Sequence, residues 1–129
     1  MIYKSHHLTP EDFLHFVETD EFSDDWRALG LDVEHDLWTL QMFIMSAPAM
    51  APVVSGTGGL RKLRFAPELW NRGKRGAVRV CYAYFPTHWT VLLIMAYGKG
   101  RKETLSAVEK SAIKAYLSRV EKWLDERNY

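Results

Sequence analysis

Two apolar runs joined by a short turn constrain the fold of this chain more than any other feature. Residues 77–85 and 89–97 are rich in β-branched and aromatic residues, which favour strands. Pro86-Thr87-His88 separates them, and so short a link favours antiparallel pairing. A third strand is predicted over residues 60–65, where apolar and basic side chains alternate. The sequence therefore predicts an antiparallel meander.

Two helices have clear signals. One is predicted over residues 33–46, where apolar residues recur at helical spacing and Asp32 can cap the start. The other begins at an S-x-x-E capping box formed by Ser106 and Glu109, and its apolar residues follow the same spacing. It is the last element of the chain.

Residues 13–17 are ambiguous. Thr9-Pro10 resembles a helix cap with proline in the first turn, whereas an apolar run of five residues is also typical of a strand. Local signals favour the helix. Helices first, strands next and a helix last predict an α+β two-layer sandwich, and a chain of 129 residues fits one domain, 1–129.

Charge is strongly segregated along the chain. Residues 56–102 contain ten Lys or Arg side chains and one acid, Glu68, for a net charge of +9. Residues 1–55 carry −8, so the near-neutral total of +1 hides two opposite halves. A basic block of this kind suggests a polyanionic ligand, and a merely solvated face is the alternative.

Period-2 geometry places several of these cations on one face of the predicted sheet. Lys62 and Arg64 alternate with apolar residues, and Arg79 shares its side of the next strand with Cys81 and Ala83. Each cation alone could be a snorkelling side chain. Three together predict a shallow, positively charged surface with open space above the two small residues.

Further residues around this face suit a nucleic acid. A glycine turn, 56–59, precedes the first strand, and a basic turn, 73–76, has the composition of a hairpin tip. Phosphates on cations and bases on aromatic rings make RNA or DNA the favoured ligand. The candidate rings are Trp70, Trp89 and Tyr97.

Other chemistries fit poorly. Cys81 is the only cysteine, so no intramolecular disulfide or zinc knuckle is possible, and a reducing cytoplasm is the expected setting. The five histidines are dispersed along the sequence, without metal-binding spacing. Neither a long apolar span nor a secretory signal is present. We therefore expect no metal, no cofactor and no membrane association.

Several motifs together resemble the RelE superfamily of toxins, and within it the HigB-like branch. The resemblance covers roughly residues 13–120, and its densest part is G-T-G-G-L-R-K-L-R at 56–64 followed by G-K-R-G at 73–76. It implies a small antiparallel-dominated sheet on two N-terminal helices, with a C-terminal helix. On this basis residues 13–19 form a strand, against the local signals, and residues 1–11 are an N-terminal extension.

The resemblance also implies a function. Members are metal-independent, ribosome-dependent mRNA endonucleases of type II toxin–antitoxin systems. Their partners are the 70S ribosome, mRNA and a cognate antitoxin, often a helix-turn-helix protein. By position, the catalytic candidates are Lys62, Arg64, Arg79, Tyr97 and Lys99. The RNA-binding candidates are Gly58, Gly59, Arg61, Lys74, Arg75, Arg101 and Lys102.

A site made of cations, without a histidine pair, should be a poor nuclease by itself. Dependence on the ribosome to orient the mRNA would compensate for this. Two alternatives use the same residues. One is a non-catalytic RNA- or DNA-binding module, and the other is a degenerate toxin that acts only in an antitoxin or repressor complex.

Overall fold

The computed structural model describes residues 13–67, 76–98, 100 and 104–127. Within these residues the order of elements is strand, two helices, three strands and a helix, so the predicted α+β class is confirmed. The elements are β1 (His15–Glu18), α1 (Asp20–Ala28), α2 (His35–Ser46), β2 (Arg61–Phe65), β3 (Val78–Phe85), β4 (Thr90–Tyr97) and α3 (Ala107–Arg127). The implied N-terminal extension, 1–11, lies outside the described residues.

The strands form one mixed sheet in the order β1-β4-β3-β2. The predicted meander is confirmed, because β2 pairs antiparallel with β3 and β3 pairs antiparallel with β4. A single 3₁₀ turn, Pro86–His88, links β3 to β4. This connection is short because the two strands are direct neighbours.

The first strand corrects the local prediction of a helix near residue 13. His15–Glu18 is a strand, as the resemblance implied; it pairs parallel with β4, and Phe16 faces the core. The backbone N–H of His15 donates to Trp89 O at 2.7 Å, and that of Thr19 donates to Leu93 O at 3.0 Å. These partners are distant in sequence, so no local pattern could reveal them.

A helix that local patterns did not delimit follows directly. Thr19 caps α1, because its Oγ1 accepts from the backbone N–H of Phe22 at 3.0 Å. Inside α1, Trp26 is fully buried and stacks on Phe22 and Phe65, with ring centroids 5.3 and 6.1 Å apart. This stack attaches α1 to the sheet.

The second helix agrees closely with its prediction. It begins at His35 instead of residue 33, and its N-cap position is Glu34, although the Asp32 side chain still accepts hydrogen bonds at the start of the helix as expected. The Oδ1 atom of Asp32 accepts from the backbone N–H groups of Glu34 and His35. Leu40 and Ile44 are buried, so the apolar stripe packs on the core as predicted.

The third helix makes the two-layer prediction wrong. Val80 and Tyr82 pack with α1 and α2, whereas Cys81 and Ala83 pack with Leu117 of α3 on the other side of the sheet. Helices therefore cover both faces, in three layers. The reason is that the second face is apolar along β3 and β4 and needs cover from the apolar stripe of α3.

Candidate nucleic-acid interface

The register between β2 and β3 brings the predicted cations together. Arg64 lies opposite Arg79, and Lys62 lies opposite Cys81, so all three cations share one face as predicted. Like charges directly opposite each other destabilise an antiparallel pair. This arrangement therefore has a local cost that an anion bound at the face would remove.

The two arginines differ in exposure. Arg64 is exposed, whereas Arg79 is only 7% exposed and its Nη1 donates to Ala77 O at 2.8 Å. Tyr97 lies opposite Arg79 on β4 and is 6% exposed. Arg79 and Tyr97 thus form the buried floor of the site, and Arg64 forms its accessible edge.

The open space predicted above Cys81 and Ala83 is present only beside Cys81, which lines a small cavity. Both side chains are buried in the apolar cluster that contains Leu117 of α3. The prediction was wrong for Ala83, because period-2 alternation assigns faces but does not show what packs on them. The usable cationic surface is confined to the end of the sheet near Lys62 and Arg64. We call the surface formed by these two residues and Arg79 the cationic face.

A cavity of about 210 Å³ lies beside this surface, between the sheet and the start of α3. Lys62 and Tyr97 line it together with two carboxylates, Glu21 and Glu109, which sequence reasoning did not assign to the site. Glu109 closes the predicted capping box, accepting from Ser106 N at 2.8 Å. Glu21 carried no earlier signal, because α1 itself was not delimited.

A larger groove of about 560 Å³ runs beside β2, which is one of the two edge strands of the sheet. Lys62 and Arg64 border it, and exposed apolar side chains line the remainder. Cations next to apolar surface suit a single strand with phosphates on one side and bases on the other. The exposed apolar residues are Phe43, Met50 and Val53.

Arg61 is directed away from the other cations. It lies opposite Tyr82, and its Nη1 donates to Ala49 O at 2.9 Å and to Ala51 O at 2.7 Å. Burial raises the pKa of Tyr82, and the charge of Arg61 partly opposes that rise. In this structure Arg61 holds the segment after α2 and does not share the face of Lys62.

The glycine turn packs against α3. Gly58 has φ +73°, and a Cβ there would lie 3.0 Å from Cγ of Lys114. Thr57 is fully buried, donating to Val54 O at 2.6 Å and accepting from Leu60 N at 3.0 Å. These contacts give the glycines a packing role that holds without any ligand.

Of the remaining candidates, Trp89 and Gly59 lie within the described residues and the others do not. Trp89 is exposed but lies beyond the opposite end of β4 from Tyr97, roughly 26 Å away at strand spacing, so the two rings do not share a surface. Gly59, at φ +127°, belongs to the glycine turn. The others lie outside the described residues: Trp70, Lys74, Arg75, Lys99, Arg101 and Lys102.

No protein-family model matches this chain. Within the described ranges, no three His, Cys, Asp or Glu side chains are grouped to hold a metal ion. No helix in that same part of the chain is both long and apolar enough to cross a bilayer. The cationic face and its cavity are therefore what argue for a ligand here.

Proposed function

We propose that this protein is a toxin of the RelE superfamily, HigB-like, that cleaves translated mRNA and is neutralised by an antitoxin. The observation that carries the proposal is the placement of Arg64 opposite Arg79, on the face that also presents Lys62. A strand at His15–Glu18, where the resemblance expects one, adds support. Lys62 lines the cavity, and Arg64 and Arg79 share its face of the sheet, so the three cations suit one phosphodiester.

The proposed cleavage chemistry uses the paired arginines of β2 and β3 and two side chains that line the cavity. The 2′-hydroxyl of RNA attacks the adjacent phosphorus, the bond to the 5′-oxygen breaks, and a 2′,3′-cyclic phosphate and a 5′-hydroxyl result. Arg64 and Arg79 stabilise the charge that develops on the phosphate. The Glu21 carboxylate accepts the proton of the 2′-hydroxyl, and the Lys62 ammonium donates one to the leaving oxygen.

Ribosome dependence fits this arrangement. Among the described residues no imidazole lines the cavity beside Lys62, so proton transfer depends on Glu21 and Lys62 without a histidine. Orientation of the mRNA in the decoding site would supply the missing rate by holding the reacting atoms in line. The cytoplasm, where ribosomes translate, is the corresponding location.

An antitoxin partner is proposed on electrostatic grounds. An acidic segment would complement Lys62 and Arg64, and a basic segment would complement the stretch from Asp20 to Asp36. Either contact would keep the cationic face from ribosomal RNA. A helix-turn-helix protein is the type of partner that the resemblance implies.

The decisive experiment is induced expression followed by primer extension on a translated reporter mRNA. Wild-type protein should arrest growth and cut the reporter only while it is translated. Arg64→Gln should lose about 10²–10³ in cleavage rate, as for the removal of one charge-stabilising donor. Arg119→Gln, which changes an exposed arginine on α3, is the matched control and should keep full activity.

Each contrary result has a specific meaning. Efficient cleavage of naked RNA by purified protein would contradict the ribosome requirement. RNA binding without cleavage in either setting would favour the non-catalytic module. Antitoxin binding without RNA binding or cleavage would favour the degenerate toxin.

The proposed role of Glu21 has its own test. Glu21→Gln should lower the cleavage rate about 10²–10⁴-fold, the usual contribution of a general base. Asp20→Asn removes a neighbouring carboxylate from the same first turn of α1, but Asp20 does not line the cavity. Equal activities of the two variants would exclude Glu21 as the base.

A further inference from the structure

A second pocket, of about 290 Å³, lies at the other end of α3 from the cationic face. Along α3, Glu109 at the first cavity and Trp123 at this pocket are roughly 21 Å apart, from the helical rise per residue. We call this pocket of about 290 Å³ the distal pocket. Its lining comes from β1, the start of β4 and the last turns of α3: His15, Val17, His88, Thr90, Trp123, Leu124 and Arg127.

A histidine–carboxylate pair forms one wall of the distal pocket. The side chain of His88 is only 8% exposed, and its Nε2 lies 2.7 Å from Oδ1 of Asp125. A carboxylate on one ring nitrogen fixes the orientation of an imidazole. The pair also joins the turn before β4 to the end of α3.

A second imidazole enters the same pocket through the tertiary fold. His15 lies opposite Thr90 in the parallel register of β1 and β4, and its backbone N–H donates to Trp89 O at 2.7 Å. His15 and His88 are far apart in sequence and looked unrelated there. The β1–β4 pairing brings both side chains to one pocket.

The end of α3 adds a guanidinium and an indole. The guanidinium carbon of Arg127 lies 4.5 Å from the ring centroid of Trp123, so a cation–π contact positions it at the pocket. Trp123 is 53% exposed, which leaves part of the ring accessible. Two imidazoles, a guanidinium and an exposed indole therefore line one small volume.

We propose that the distal pocket binds the phosphate group of a nucleotide, either free or at the end of an RNA strand. Arg127 and His15 donate hydrogen bonds to the phosphate oxygens, and His88, held by Asp125, contributes a fixed dipole or charge. The base lies against the exposed part of Trp123. This inference stands independently of the proposed nuclease function, because no residue of the cationic face takes part.

The ligand class follows from the lining. The guanidinium is planar and donates through several N–H groups, which matches the oxygens of a phosphate. A metal ion is a poor alternative, because the described residues include no group of three potential ligands. A purely apolar ligand would offer no hydrogen-bond acceptor to the guanidinium of Arg127 or the ring of His15.

Isothermal titration calorimetry on the full chain tests the proposal with three probes: inorganic phosphate, AMP and a 5′-phosphorylated RNA tetranucleotide. AMP should bind, and adenosine, which lacks the phosphate, should not. Arg127→Gln and His15→Gln should each weaken AMP binding at least tenfold. Trp123→Ala should weaken AMP binding more than the binding of inorganic phosphate, because it removes the stacking surface as well as the support of Arg127.

Two matched controls separate this pocket from the rest of the protein. Arg119→Gln, on the same helix, and Arg64→Gln, on the cationic face, should both bind AMP like the wild type. Absence of AMP binding, or AMP binding that Arg127→Gln leaves intact, overturns the proposal, and so does an equal loss in Arg64→Gln. A tetranucleotide that binds at least tenfold more tightly than AMP, with a gain that Arg127→Gln removes and Arg64→Gln keeps, identifies RNA as the source of the phosphate; any smaller gain identifies a free nucleotide.

Discussion

Replacement of Arg64 by glutamine should make the protein more stable and less active at once. Arg64 faces Arg79 across the β2–β3 pair, and Lys62 follows the same side of β2. Glutamine keeps the length and polarity of the side chain but removes one positive charge. If these cations bind an anion, their mutual repulsion destabilises the protein without the ligand, and the bound anion offsets that repulsion.

The size of the stability gain follows from the geometry. Like charges directly opposite in an antiparallel pair cost about 0.2–1 kcal/mol. Because Arg64 is exposed, water screens the repulsion and the lower half of that range applies. For a domain of this size that lower half corresponds to a rise in Tm of about 1–2 °C.

The assay is thermal unfolding of wild type and Arg64→Gln at low salt and at high salt, followed by the cleavage assay. The difference in Tm should shrink at high salt, because exposed charges more than ~10 Å apart are screened at 0.1 M and closer ones progressively above it. Arg119→Gln controls for the loss of one charge in general. A variant that is both less stable and fully active would refute the idea that these cations are assembled for a ligand.

Three further predictions concern residues that hold the site in place. Gly58→Ala should lower the free energy of unfolding by about 1–2 kcal/mol, because the alanine would have a left-handed φ and crowd α3. Gly98→Ala, at a position without a positive φ, is the control in the same chemical denaturation assay. Asp25→Ala should lower the free energy of unfolding by about 1–3 kcal/mol in the same assay, because Asp25 Oδ2 accepts a hydrogen bond from the backbone N–H of Ala96 in β4 at 3.0 Å. Asp24→Ala removes only an exposed ion pair and should change it by less than about 1 kcal/mol. Burial raises the pKa of Tyr82, so the unfolded chain loses the phenol proton at a lower pH than the folded protein, and the free energy of unfolding should fall as the pH rises above about 10. Tyr82→Phe should reduce that alkaline loss of stability, as measured by urea unfolding across pH.

Local sequence patterns determined a large part of this fold. The composition of residues 77–97 predicted the hairpin, and alternation assigned Lys62, Arg64 and Arg79 to one face. The capping box at Ser106 marked the start of α3 within one residue. These features were predictable because period-2 and helical spacing, caps and turns act between residues close in the chain.

Tertiary structure alone decided which surfaces remain available and which distant residues meet. Pairing of β1 with β4 overrode the local helix signal, since its hydrogen bonds join segments more than seventy residues apart. The packing of α3 covered Cys81 and Ala83 and thereby restricted the cationic face. The same two events brought His15, His88 and Asp125 together, because burial of apolar surface depends on the whole sheet and not on any one segment.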